Sequence, residues 1–248
     1  MRTGILAVKK ATEKVSGSTS LVHLRLSCSP LISFRGMEYF IRELDFTCGD
    51  VQMYQATIGD VGHVVWDAAI ALSKYIDTPH FTTTHDTMND KLVVELGAGT
   101  GLVGLIAAKL GATVYATDLE ELVPLIRKNI EENTCSMKGS IKGVALKWGS
   151  KGDVLGLHRA PDIVLIADCV YYEESLHPLI ETVRSLCGRD TVVYVSYEDR
   201  ETDLKVELMK DFFELTRKYF DIEEVPLSAQ DPQYSSEDIH ILKLKLKT

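Results

Sequence analysis

With 248 residues, 45% hydrophobic and 25% charged, the chain can form one globular domain with an ample core, alone or with an appendage. No stretch is long and apolar enough to span a bilayer as a helix. The net charge of −9 hides an asymmetry, because residues 1–36 carry six Lys or Arg against one acid, Glu13, and leave the body more acidic than the whole. An acidic body repels phosphate backbones, which argues against nucleic acid as a main partner. It suits a basic, lysine-presenting protein surface, or serves solubility alone.

The five cysteines (Cys28, Cys48, Cys135, Cys169 and Cys187) form no C-x-x-C pair and have no metal-ligand spacing with the histidines. They read as reduced thiols of a cytoplasmic protein, and no metal site is expected. Residues 1–36 are serine-rich, basic and weakly periodic: a transit-like segment, a disordered arm, or a translated leader ahead of Met37. Residues 22–26 alternate like a strand but are too few to outweigh their flanks. The leader is therefore expected to lack structure, and 37–248 to be the folded domain.

From Tyr39 the alternation of Phe40, Arg42, Leu44 and Phe46, a Cys48-Gly49-Asp50 turn, and Val51, Met53 and Tyr54 predict an N-terminal β-hairpin, a lid or wall over the core. The run VVWDAAIALSKYI (64–76) carries a helical stripe of Val65, Ala69, Leu72 and Ile76, with Pro79 just past its end. Trp66 stands at the start of that helix, where core packing is the plain alternative to a binding role.

The stretch KLVVELGAGTGLVGLIAAKLGATVYATD (91–118) organises the rest. Leu92, Val93 and Val94 read as a buried parallel strand that ends at Glu95 and a loop carrying Gly97, Gly99 and Gly101. A helix with Leu102, Leu105, Ile106 and Leu110 follows, then a second strand ending at Asp118. Such a βαβ unit holds a nucleoside-bearing ligand at the carboxyl ends of its strands, with Asp118 placed to accept from two ribose hydroxyls. Gly99, Gly101 and Gly104 also satisfy G-x-G-x-x-G with Asp118 nineteen residues on, so an NAD-dependent oxidoreductase stands as the alternative. Glu95, in E-x-G-x-G-x-G, resembles instead motif I of the seven-strand methyltransferases.

Beyond Asp118, LEELVPLIRKNIEENT predicts an amphipathic helix with acids in its first turn and Pro124 marking that turn or a kink. Residues 143–146 predict a third strand leading to Trp148, which either stacks on an adenine or packs under the next helix. Residues 161–167 form a fourth buried strand running into Asp168-Cys169-Val170-Tyr171-Tyr172. A helix over 173–186, a strand over 191–197, a polar Glu198-Asp199-Arg200 loop, a long helix to about residue 219 and two terminal strands complete the pattern. Having no helix between them, the last two strands close as an antiparallel hairpin.

The stretches VVWDAAIALSKYI (64–76), VVELGAGTGLVGL (93–105), TDLEEL (117–122), LKWG (146–149), ADCVYYEESL (167–176) and SEDIHI (236–241) resemble the non-histone protein-lysine methyltransferases of the methyltransferase-like group, most of all the branch acting on valosin-containing protein. The resemblance implies an α/β class I, Rossmann-like fold with strand order 3-2-1-4-5-7-6. It also implies S-adenosyl-L-methionine as cofactor and a valosin-containing-protein-type AAA ATPase as client of a monomeric enzyme. Trp66 and Trp148 would bracket the adenosyl side, Gly97, Ala98 and Gly99 offer backbone contacts, Asp118 hold the ribose and Ala167 line the floor. Glu95 belongs to the same motif. Asp168 to Tyr171 matches the acidic-x-x-aromatic motif at the mouth of a lysine channel.

Methyl transfer to lysine needs the neutral amine, although a free lysine has a pKa of about 10.4. A channel walled by Tyr171 and Tyr172 desolvates the ammonium and lowers that value, whereas Asp168 favours the cation and is assigned to binding and orienting the amine. A helix N-cap is the plain alternative for Asp168, and adjacent tyrosines are expected to face different ways. Cys169 reads as small-volume filler. A non-catalytic module that binds S-adenosyl-L-methionine is the remaining alternative.

Overall fold

The computed structural model of the chain describes residues 32–34, 37–56, 61–83, 87–155, 159–200 and 202–247. Its centre is a seven-stranded sheet of β4 (Leu92–Leu96), β5 (Thr113–Asp118), β6 (Ser140–Ala145), β7 (Ile163–Ala167), β8 (Val192–Glu198), β9 (Phe220–Glu224) and β10 (Ile239–Leu246). The spatial order is β6-β5-β4-β7-β8-β10-β9, which counted within the sheet is the 3-2-1-4-5-7-6 order of class I methyltransferases. β6, β5, β4, β7 and β8 run parallel, and β10 is antiparallel to both its neighbours.

Every residue of β4 is buried, as a parallel strand covered on both faces requires. Alternate residues feed two cores. Val93, Ile163, Leu165 and Tyr194 join the apolar faces of α1 (Asp67–Ile76) and α3 (Leu102–Lys109). Val94, Val164, Ile166 and Val195 join α6 (Glu173–Leu186) and α7 (Asp203–Arg217) on the other side. The period of two sends each strand's neighbours to opposite layers.

The N-terminal hairpin forms a separate sheet, β2 (Met37–Leu44) against β3 (Val51–Ala56), from Tyr39↔Ala56 to Leu44↔Val51. A three-residue strand, β1 (Ile32–Phe34), pairs with the start of β2, inside the segment expected to lack structure. The strand-like residues 22–26 lie outside the described residues. The hairpin is a wall docked on α4 (Val123–Glu132), and the side chains of Asn129 and of Asn133, the residue that caps its carboxyl end, bond the hairpin backbone.

One local expectation is corrected. α4 begins at Val123 with Pro124 in its first turn, so Glu120 and Glu121 lie in the preceding turn and no acid occupies the first turn. Proline lacks the N–H that a helix interior requires but fits the first turn, where that N–H has no partner anyway. Pro79 opens a further short helix, α2 (Pro79–Thr83), for the same reason. A five-residue helix that the periodicity did not reveal, α5 (Lys151–Leu155), follows Trp148 and Gly149.

Candidate functional site

The carboxyl end of β4 turns sharply into α3 through the glycines. Gly97 has φ +65°, and a Cβ there would lie 2.5 Å from Cys169 Sγ and 2.9 Å from the Trp148 ring. Only glycine fits this left-handed, walled position. The loop is held from beneath: Ala98 N–H donates to Thr117 O at 3.0 Å, and Gly99 N–H to Asp118 Oδ2 at 2.7 Å. Leu119 N–H donates to the other oxygen of Asp118, Oδ1, at 2.7 Å. Burial raises the Asp118 carboxyl, and the Gly99 and Leu119 N–H groups pull it back.

Glu95 lies on the far side of this loop, 2% exposed. Its Oε2 accepts the Gly104 N–H at 3.0 Å, and the Val103 N–H bonds the same carboxyl. It thus satisfies amides at the start of α3 that have no carbonyl four residues back. Burial pushes its carboxyl up to about 8. Gly104 is a packing glycine, because a Cβ there would lie 2.5 Å from that oxygen.

A second group of residues gathers at the carboxyl ends of β7 and β8. Asp168, just past Ala167 at the end of β7, has φ 53°, and its N–H donates to Ser196 O at 2.8 Å. Its side chain is 2% exposed. Oδ2 accepts the Arg200 Nη2, and Oδ1 is buried without a hydrogen-bond partner among the described residues. Arg200 Nε donates to Glu198 Oε2 at 3.2 Å, and its guanidinium lies 4.8 Å from the centre of the Trp66 ring. Trp66 in turn donates Nε1–H to Val61 O at 2.8 Å. Lys205, at the start of α7, donates to Val170 O, and burial lowers its ammonium against the pull of Asp168.

Tyr171 and Tyr172 are 37% and 47% exposed, with ring centres 4.6 Å apart in an edge contact. The N-cap of α6 is Tyr172, without a side-chain cap, so Asp168 does not cap that helix. Cys169 is buried beneath Gly97, its thiol pushed well above its usual range by burial, which makes it inert filler.

Gly97, Trp148 and Cys169 thus meet at one place and Gly99 and Asp118 at another, while Asp168 and Trp66 each lie against Arg200 at a third. The two tryptophans have different neighbours, Trp148 at the first glycine and Trp66 at Arg200. Glu95 supports the loop from behind. Among the described residues no group of three His, Cys, Asp or Glu is placed to hold a metal ion. Sequence reasoning left Arg200, Glu198 and Lys205 without a role. The available signal was position, since Glu198-Asp199-Arg200 follows a strand beside β7, and adjacent carboxyl ends form the ligand crevice of such sheets.

The sequence profile of a family described as "Lysine methyltransferase" matches residues 47–218. The chain is 34% identical to protein N-lysine methyltransferase METTL21A of Danio rerio, over 74% of this chain and 77% of that protein. It is 35% identical to EEF1A lysine methyltransferase 3 of Xenopus tropicalis, over 64% and 67%. It is 32% identical to protein-lysine N-methyltransferase EFM6 of Saccharomyces cerevisiae, over 74% and 80%. Among solved structures it resembles the T. thermophilus 16S rRNA methyltransferase RsmC, with TM-score 0.56 and 13% identity over 88% of this chain and 52% of that one. It also resembles the glycopeptide N-methyltransferase MtfA, with TM-score 0.54 and 16% identity over 71% and 90%. These two likenesses speak to the fold alone. The profile match and the identity to METTL21A go further: the chain belongs to the lysine methyltransferase family.

Proposed function

We propose that the chain is a protein-lysine N-methyltransferase that takes its methyl group from S-adenosyl-L-methionine and modifies a valosin-containing-protein-type AAA ATPase, acting as a monomer in the cytoplasm. The observation that carries this reading is the buried Asp168 carboxylate, with one oxygen unpartnered among the described residues, three positions before Tyr171 in the chain and one strand from the Gly97–Asp118 cradle. The cradle fits the cofactor. Each Asp118 oxygen spends one acceptor position on a backbone N–H, and a carboxylate has about four, so acceptors remain for two ribose hydroxyls. The Trp148 ring at Gly97 offers an apolar surface to an adenine.

When bound, the cofactor supplies a methyl group on a positively charged sulfur, open to in-line displacement by an amine. The protein's part is alignment and electrostatics. Asp168 receives the amine, the tyrosine rings exclude water from it, and desolvation favours loss of its proton. That proton leaves to solvent, and the neutral amine keeps the lone pair that displacement would require. Trp66, Gly97, Ala98, Gly99 and Ala167 shape the cradle, and Glu95 holds the loop that presents it. The tyrosine faces stabilise a methylated ammonium by about 0.5–2 kcal/mol each, which permits further rounds.

The valosin-containing-protein client rests on the likeness of the six stretches between residues 64 and 241 to that branch. An elongation-factor-1A client is the second reading, favoured by 35% identity to a relative named for that substrate. Transfer of labelled methyl from S-adenosyl-L-methionine to each purified protein, with Asp168→Ala as control, separates them. The expected result is label on lysine of the ATPase, reduced at least a hundredfold in the variant while S-adenosyl-L-homocysteine still binds. Label on elongation factor 1A alone would change the client. Cofactor binding with no transfer to any protein would leave a binding module, and binding of NAD in place of S-adenosyl-L-methionine would leave an oxidoreductase.

A further inference from the structure

Asp168 poses a conflict. A negative charge that binds the incoming amine also holds it as ammonium, and only the neutral amine has a lone pair. Its two oxygens, however, are not equivalent. Oδ2 takes the Arg200 guanidinium, and Oδ1 is buried and unpartnered among the described residues.

Arg200 is fixed from three directions: Asp168 on Nη2, Glu198 on Nε at 3.2 Å, and the Trp66 ring at 4.8 Å. A planar fork with separate donors and a stacking face is what such a site requires, and a lysine cannot reproduce it. The other charges nearby are engaged elsewhere. Lys205 of α7 lies within Coulombic reach of Asp168 but spends its hydrogen bond on Val170 O, and Asp199 meets His240 of β10, which also meets Glu224 of β9. On the cradle side Asp118 is bonded to Gly99 and Leu119, and beside Trp66 on α1 Asp67 lies 3.9 Å from Arg42 of β2. Among the described residues Arg200 is therefore the cation that meets Asp168 directly.

We propose that Arg200 is a positioning residue that neutralises Asp168 through Oδ2 and leaves Oδ1 as the acceptor for the substrate amine, so that the amine is oriented without being held in its charged form. This deepens the lysine methyltransferase reading and rests on it. It also gives a sign. Without the guanidinium the full charge of Asp168 acts on the bound amine, its pKa rises, and less of it is neutral at a given pH. The acid limb of the kcat profile, which reports groups in the bound complex, then moves to higher pH.

The test compares the wild-type chain with Arg200→Met, Arg200→Gln and Arg200→Lys on the client protein that the wild type labels, from pH 6 to 10. Methionine preserves packing on Trp66 and glutamine preserves polarity, so the measurement stands if either variant folds. The expected result is an acid limb raised by about one unit in both, hence a rate about tenfold lower at pH 7 that approaches wild type above about pH 9. Arg200→Lys, which keeps the charge and loses the fork, keeps the wild-type limb at a rate reduced at every pH. Affinity for S-adenosyl-L-homocysteine stays within about threefold throughout. A loss equal at every pH in Met and Gln, an unchanged profile, or a gain in rate would overturn the proposal and leave Arg200 a structural tie, a bystander or a plug. Label on a residue other than lysine would instead sink the underlying reading, whereas lysine label with an unshifted limb would sink only the role of Arg200.

Discussion

Glu95, near the end of β4, is costly to keep charged. Buried and bonded to the Gly104 and Val103 N–H groups, its carboxyl is raised from 4.5 to about 8. An acid whose folded pKa exceeds its unfolded one binds more protons when folded, so the stability it contributes is present below about pH 4.5 and is lost as pH rises through about 8. Glu95→Gln keeps an acceptor for Gly104 and cannot ionise. The wild type is expected to lose melting temperature relative to Glu95→Gln between pH 6 and 9, and a gap that stays constant across that range would show that Glu95 does not titrate there. The sequence displays an acid two positions before the first glycine, but spacing alone does not say which side of the loop the carboxylate meets. Gly97 is the converse case. Its motif was legible, yet the reason for glycine, Cys169 and Trp148 closing on it from residues 50 and more positions away, belongs to the folded chain.

At the scale of elements, the hairpin and α4 are matched in pitch. Asn129 and Asn133 lie four residues apart on the helix, about 6 Å of rise, and Tyr54 and Gln52 lie two apart on β3, about 6.6 Å. Each asparagine therefore meets one backbone site on β3. Asn129 accepts the Tyr54 N–H at 2.7 Å and donates to Tyr54 O at 3.1 Å and Thr100 O at 2.9 Å. Asn133 accepts the Gln52 N–H and donates to Gln52 O, both at 2.8 Å. Asn129→Ala orphans three buried groups and is expected to cost about 3 kcal/mol. Asn133→Ala, nearer the surface, is expected to cost less, and denaturant unfolding of both measures the difference. Equal, small losses would mean that the hairpin is held by its apolar face alone. Periodicity made β2 and β3 legible as strands, and α6 appears over the expected residues, because both signals are local. The dock was not legible, since an asparagine spacing on a helix is silent until a strand edge lies beside it.

For the whole molecule, the strand order decides the chemistry. Asp118 ends β5, Gly97 follows β4, Asp168 follows β7 and Arg200 follows β8, and these four strands are consecutive in the sheet, so residues from four separate segments converge along one edge. That order was legible from the absence of a helix between the last two strands together with the family resemblance, whereas Arg200, outside any motif, was not given a role. The crevice belongs to a chain of net charge −9. A folded client that presents lysine on a basic surface is drawn to such a body by long-range attraction, which salt screens with a Debye length of about 10 Å at 0.1 M. Raising NaCl from about 50 to about 300 mM is therefore expected to raise KM for the client several-fold and leave kcat within twofold, because the Asp168 carboxylate, its side chain 2% exposed, is screened far less than surface charge. Affinity for S-adenosyl-L-homocysteine, which we propose the glycine loop and Asp118 hold, is expected to barely change. Steady-state kinetics at four salt concentrations reads all three quantities. A KM indifferent to salt would assign client recognition to short-range contacts around Tyr171 and Tyr172, and a falling kcat would mean that the ion pair at the channel is itself open to solvent ions.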